Sequence, residues 1–166
     1  PLGMYAVATF RLAAVFDLTD AVDANLITAI GLGANRPQDA IYPLSQKDAE
    51  GHEYDGAKHR YTLRFEKGAM PPVDAFWSLT LYDDATWAFI RNPLDRNGLG
   101  SLDRDSLKVN ADGSVDLYFG PDAPAGFECN WLPTMGKKPY LWFRLYAPAE
   151  PFWDKTFVLP DVERVG

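Results

Sequence analysis

Phe76-Trp77-Ser78-Leu79-Thr80-Leu81-Tyr82-Asp83 alternates large apolar side chains with hydroxyl-bearing ones. Successive side chains on a pleated strand point to opposite faces, so Trp77, Leu79 and Leu81 face a core while Ser78, Thr80 and Tyr82 face away from it. The stretch predicts a central β-strand. Pro71-Pro72 stands just before it, where missing amide donors do little harm.

The same period of two recurs along the chain. Tyr61, Leu63 and Phe65 share one face of His59 to Phe65, and Val115, Leu117 and Phe119 share one face of the segment after Asn110-Ala111-Asp112-Gly113. That turn, with Leu107-Lys108-Val109 before it, reads as a β-hairpin. In Tyr140 to Tyr146, Leu141, Phe143 and Leu145 lie opposite Trp142, Arg144 and Tyr146. Asp48 to Gly51 and Asp55-Gly56 are turn signals around an entry hairpin, and Gly98 and Gly100 mark an irregular connection up to Leu107. Thr156 to Leu159 and Val162 to Val165 close the chain as short extended pieces. With roughly seven to nine such strands, the fold class is mostly β: an antiparallel, jelly-roll-like β-sandwich.

Residues 1–30 read differently. Between Met4 and Ile30 there is no Pro or Gly, and apolar residues recur every three or four positions, which predicts a helical N-terminal segment. Tyr5 to Phe16 is one piece; Thr19-Asp20 caps a second that stops at Gly31. Residues 31–166 form the sandwich domain. Pro1-Leu2-Gly3 ahead of Met4 is left out of this reading.

Composition excludes several functions. The 166 residues are 47% hydrophobic, enough for one substantial core, and a net charge of -7 without a basic cluster argues against nucleic acid as a partner. Lone Cys129 excludes an intramolecular disulfide and a multi-cysteine metal site. No apolar run reaches the ~20 residues of a membrane span. Gly31-Leu32-Gly33 follows a helical pattern where a dinucleotide loop would follow a strand, so neither a nucleotide nor any other cofactor is implied.

Seven blocks in order resemble one family: Gly31-Leu32-Gly33-Ala34-Asn35, Ala40-Ile41-Tyr42-Pro43, Pro71 through Asp83, Asn92-Pro93-Leu94, Asn110 through Ser114, Asn130-Trp131-Leu132-Pro133 and Arg144 through Pro148. They resemble the domain-of-unknown-function family DUF1214, over about Gly31 to Val165. The resemblance implies a jelly-roll-like sandwich and an exported or periplasmic bacterial protein, without implying a reaction. Members commonly carry this domain at the C-terminus of two-domain DUF1254/DUF1214 proteins. Too little chain precedes Gly31 to supply such a partner, so the sequence reads as a short member or a fragment.

Candidate chemistry centres on side chains facing away from the core. Arg64, Ser78, Thr80, Tyr82, Asp116, Tyr118, Trp142, Arg144 and Tyr146 project from the other faces of their strands, and those among them that share one surface fit a platform on which rings stack against a sugar while polar groups orient it. They are also ordinary residents of an outer sheet face. Arg96 and Arg144 suit an anion clamp, yet each has acidic neighbours for structural pairing, Asp116 or Asp83 for Arg144. Asn130 suits either a ligand contact or the tying of loop amides. The ligand-binding set is therefore Ser78, Tyr82, Arg96, Asn130, Trp142, Arg144 and Tyr146.

No catalytic set emerges. Asp83, Asp84 and Asp116 are the least arbitrary of many carboxylates for a glycosidase, and neither Ser78 nor Cys129 has a nucleophile's setting. His52 and His59, with Asp48, Glu50 or Asp55, lack the spacings of zinc motifs, so no metal is expected. The expected function is an accessory or ligand-binding domain of a bacterial envelope protein that takes a small polar ligand or packs against another domain or a second copy. The alternative is a hydrolase acting on a carbohydrate or ester.

Overall fold

The computed structural model describes residues 11–12 and 35–165, and among them ten strands form two sheets. The strands are β1 (Arg11–Leu12), β2 (Ala40–Ile41), β3 (Pro43–Ser45), β4 (Arg60–Phe65), β5 (Val73–Asp83), β6 (Gly98–Gly100), β7 (Val115–Gly120), β8 (Trp131–Pro133), β9 (Pro139–Pro148) and β10 (Val162–Val165). The large sheet runs β1-β3-β9-β5-β6, with β2 also on β9; the small sheet runs β10-β4-β7-β8.

Long strands β5 and β9 form the spine. Their register sets Leu79 opposite Phe143 and Leu81 opposite Leu141 on one face, and Ser78 opposite Arg144 and Thr80 opposite Trp142 on the other. The small sheet supplies Tyr61, Leu63, Phe65, Leu117 and Phe119, all nearly inaccessible. Rings join the two layers: Phe65 lies 5.6 Å from Trp77 and 6.2 Å from Phe143, and Trp77 stacks on Phe143. Each such side chain contributes about 1.5–3 kcal/mol on burial, so this shared layer holds the sheets together. The molecule is mostly β, as the alternation requires.

Four details differ from the sequence reading. Arg11–Leu12, placed there within a helix, pair as a strand with Leu44 and Pro43, where the edge of β3 presents free backbone groups. The rest of the N-terminal segment lies outside the described residues. Second, the chain from β3 to β4 crosses between sheets instead of closing a hairpin within one. Tyr54 anchors this crossing, its hydroxyl 2.7 Å from Ser45 Oγ and its ring edge-on to Tyr61 and Phe119.

Third, Leu107-Lys108-Val109 forms no strand, although the turn closes through Asn110 N–H donating to Ser114 O. Asn130 explains this. Its Oδ1 accepts from Lys108 N–H and its Nδ2 donates to Lys108 O and Asp116 O, so one side chain takes the backbone groups a ladder would have used. The edge of β7 goes instead to β8, in parallel, so the sandwich is not antiparallel throughout. Fourth, the long connection holds β6, and a one-turn helix α1 (Glu150–Trp153) precedes β10.

Candidate functional site

The outward face of β5 and β9 gathers the aromatic and polar side chains. Strand alternation puts Phe76, Ser78, Thr80 and Tyr82 beside Tyr140, Trp142, Arg144 and Tyr146, and β3, pairing through Leu44 opposite Trp142, brings Tyr42 alongside. Ring contacts run across the sheet. Phe89 stacks on Tyr82 at 4.8 Å, Tyr82 lies 5.6 Å from Trp142, and Trp142 meets Tyr42 edge-on at 6.1 Å. Tyr42 meets Tyr146, which stacks on Phe76 at 4.3 Å. Trp87, at 64% exposure, extends the row by contacting Tyr140. Its φ of 58° is a conformation a bulky side chain rarely adopts.

Arg144 sits at the centre. Nη1 donates to Thr80 Oγ1 at 2.7 Å and Nη2 to Tyr82 OH at 2.6 Å, while the guanidinium lies over the Trp142 and Tyr82 rings at 5.2 and 5.7 Å. Its neighbours hold it by rings and hydroxyls; among the described residues no carboxylate pairs with it. Asp116 instead meets Arg64 on the other sheet, and Asp83 meets Lys137. A guanidinium has five N–H donors, so Arg144 keeps donors beyond these two bonds. The Trp142 indole N–H is also buried without an acceptor among the described residues.

Two phenols of the face are shifted upward. Burial, then the hydrogen bond with Tyr146, pushes Tyr42 up to about 12, and burial raises Tyr140. Tyr42 OH takes a hydrogen bond from Asn35 Nδ2 and donates to Tyr146 OH at 3.5 Å. The face therefore presents one fixed cation beside hydroxyl groups, an acceptor-seeking surface walled by rings.

Five of the seven residues singled out from sequence, Ser78, Tyr82, Trp142, Arg144 and Tyr146, share this face. The other two lie elsewhere. Arg96 donates from Nη1 to the carbonyls of Glu128 and Trp131, bracing the loop before β8, and Asn130 is fully buried against backbone. Sequence reasoning passed over Tyr42, Tyr140 and Phe89. Tyr140 falls on the outward parity of β9, while Phe89 arrives through a bridge to Tyr82 that no local pattern announces. Arg64, Asp116 and Tyr118, grouped with this set from sequence, lie on the small sheet and face the other way.

An ionic cluster lies at the sheet crossing. Asp48, Glu50 and His52 bring ligand-type atoms within 4.8 Å of one another. Asp48 Oδ1 caps the amides of Glu50 and His52, and Arg164 lies 3.7 Å from Glu50, while Asp48 Oδ2 is buried without a hydrogen-bond partner among the described residues. The geometry is that of a capped turn.

A family model described as a protein of unknown function, DUF1214, matches residues 39–150. The chain belongs to DUF1214. The match takes in β2 through most of the chain, including both spine strands of the aromatic face. Among solved structures, the VPA0106 protein of Vibrio parahaemolyticus is 28% identical with a TM-score of 0.68, covering 84% of this chain and 34% of that one. A putative uncharacterized protein from Burkholderia cenocepacia shares the fold at a TM-score of 0.56 and 20% identity, covering 95% of this chain and 34% of that one. This DUF1214 chain thus spans about a third of the length of either relative. No curated protein matches it.

Proposed function

We propose that residues 31–166 are a jelly-roll-like binding domain of a bacterial envelope protein, and that the β5/β9 face receives a carbohydrate bearing a carboxylate. The observation that carries this reading is Arg144: a half-buried guanidinium fixed by Thr80 and Tyr82, without a carboxylate among the described residues, between two aromatic rings. A uronate-type sugar supplies what that geometry seeks. Its carboxylate accepts from the free donors of Arg144, and its ring packs on the aromatic row. The envelope location is supported by the family resemblance, and a covering domain or second copy fits the longer relatives. A hydrolase of a carbohydrate or ester needs two convergent ionisable groups. The face centres on one, which supports binding over hydrolysis. No helix among the described residues is long and apolar enough to cross a membrane.

Calorimetric titration with glucuronate tests the reading. Wild-type protein is expected to bind saturably, and Arg144→Ala to bind about ten- to a hundredfold more weakly, the worth of a charge-assisted hydrogen bond. Equal binding by the two proteins, or none by wild type, rejects it.

A further inference from the structure

The outer face of the small sheet carries its own constellation. Arg60, Thr62 and Arg64 alternate outward along β4, and the register sets Thr62 between Glu163 of β10 and Tyr118 of β7, with Asp116 opposite Arg64. These six side chains line a shallow depression of about 410 Å³, large enough for a monosaccharide.

Two polar atoms at its floor have no use within the fold. Thr62 is 8% exposed, and its Oγ1 has no hydrogen-bond partner among the described residues. Arg60 Nε is likewise buried and unpartnered, while its Nη2 leans toward Asp122 at 3.5 Å. An unsatisfied buried polar group is costly, so two on the same face of β4, both in residues that line a depression, point to a ligand there. Arg64, by contrast, is spent on Glu66, Asp112 and Asp116.

We infer that this depression is a second binding site, built for the hydroxyl groups of a neutral sugar. Among the lining groups Arg60 and Arg64 are balanced by Asp116 and Glu163, and Asp122 and Asp112 add negative charge at the rim, so an anion is disfavoured. A hydroxyl matches both sides of this chemistry: it accepts from Arg60 Nε or Thr62 Oγ1 and donates to a carboxylate such as Glu163. The Tyr118 ring, braced edge-on by Phe127 at 5.6 Å, supplies an apolar wall for a sugar's C–H face. The site lies on the opposite side of the sandwich from Arg144, so either can fail alone.

The test is an NMR titration of the full chain with methyl β-glucoside, and in parallel with glucuronate and inorganic phosphate. Saturable shifts from the glucoside at the Arg60 Nε–Hε group and at amides of β4, β7 and β10 support the site. In Thr62→Val, which replaces an unsatisfied hydroxyl by a methyl, melting temperature should hold or rise while glucoside binding weakens about fivefold. Glu163→Gln, exposed and safe for folding, should weaken it similarly. Overturning results are no shift from the glucoside, shifts at this face only from glucuronate or phosphate, shifts confined to β5 and β9, or unchanged affinity in both variants.

Discussion

Asn130 does the work of a strand with one side chain. It is fully buried, holds Lys108 at both backbone groups, and reaches Asp116 O at 2.8 Å. Removing it leaves the amide and carbonyl of Lys108 and the carbonyl of Asp116 without this partner, the last of them in a buried bond. Asn130→Ala is therefore expected to lose roughly 2–4 kcal/mol in urea denaturation, and Asn130→Asp to rescue little, since it keeps the acceptor but forfeits both donor bonds and buries a charge. From sequence this residue had two open readings, ligand contact and amide tying; burial decides for the second. Arg96 is similar, a cation whose loop carbonyls only the fold brings near. The candidate face was legible wherever strand parity governs, as at Ser78, Tyr82, Trp142, Arg144 and Tyr146, because a period of two assigns a side chain to a face without knowledge of its neighbours.

Which strand lies beside which was much less legible. Alternation placed the inward residues of β4, β5, β7 and β9, but it is silent about the sheet to which each belongs, so Arg64, Asp116 and Tyr118 were grouped with a face on the far side of the core. The expected hairpin at Asn110 failed for a related reason: turn chemistry specifies a reversal, while the partner of β7 was settled by Asn130 and β8, distant in sequence. The element β6 shows a constraint of the same long-range kind. Gly100 lies against β5, where a Cβ would come 2.3 Å from Trp77 O and 3.1 Å from Ser78 Cα. Both obstacles are backbone or next to it and cannot swing aside. Gly100→Ala is expected to push β6 from the sheet edge at a cost of about 1–3 kcal/mol. Hydrogen exchange checks this: amides bonded between β5 and β6 should lose protection, while those between β5 and β9 keep theirs.

At the scale of the molecule the charge of -7 is not spread at random. Several surface cations have carboxylate partners, among them Lys58 with Asp55, Lys138 with Glu53 and Asp84, and Arg36 with Asp39, whereas Arg144 is held by rings and hydroxyls. Many of these carboxylates are held below the ordinary range: Asp39 by Arg36, Asp55 by Lys58, Asp112 by the Ser114 hydroxyl and amide, Asp154 by Thr156 in the same way, and Glu128 by the amide of Gly126. A carboxyl with a depressed folded-state pKa binds its proton more readily when unfolded, so its contribution is complete above the unfolded value and disappears as pH falls through the folded one. All five shifts have this sign. Stability should therefore be flat near neutrality and fall as pH drops through about 4 and below, with each exposed pair adding little and the set adding together. Melting temperature followed from neutral pH downward measures this, and 0.5 M salt should flatten the part of the fall that comes from the exposed Arg36–Asp39 and Lys58–Asp55 pairs. A fall that begins well above that range would overturn the assignment to these five carboxylates.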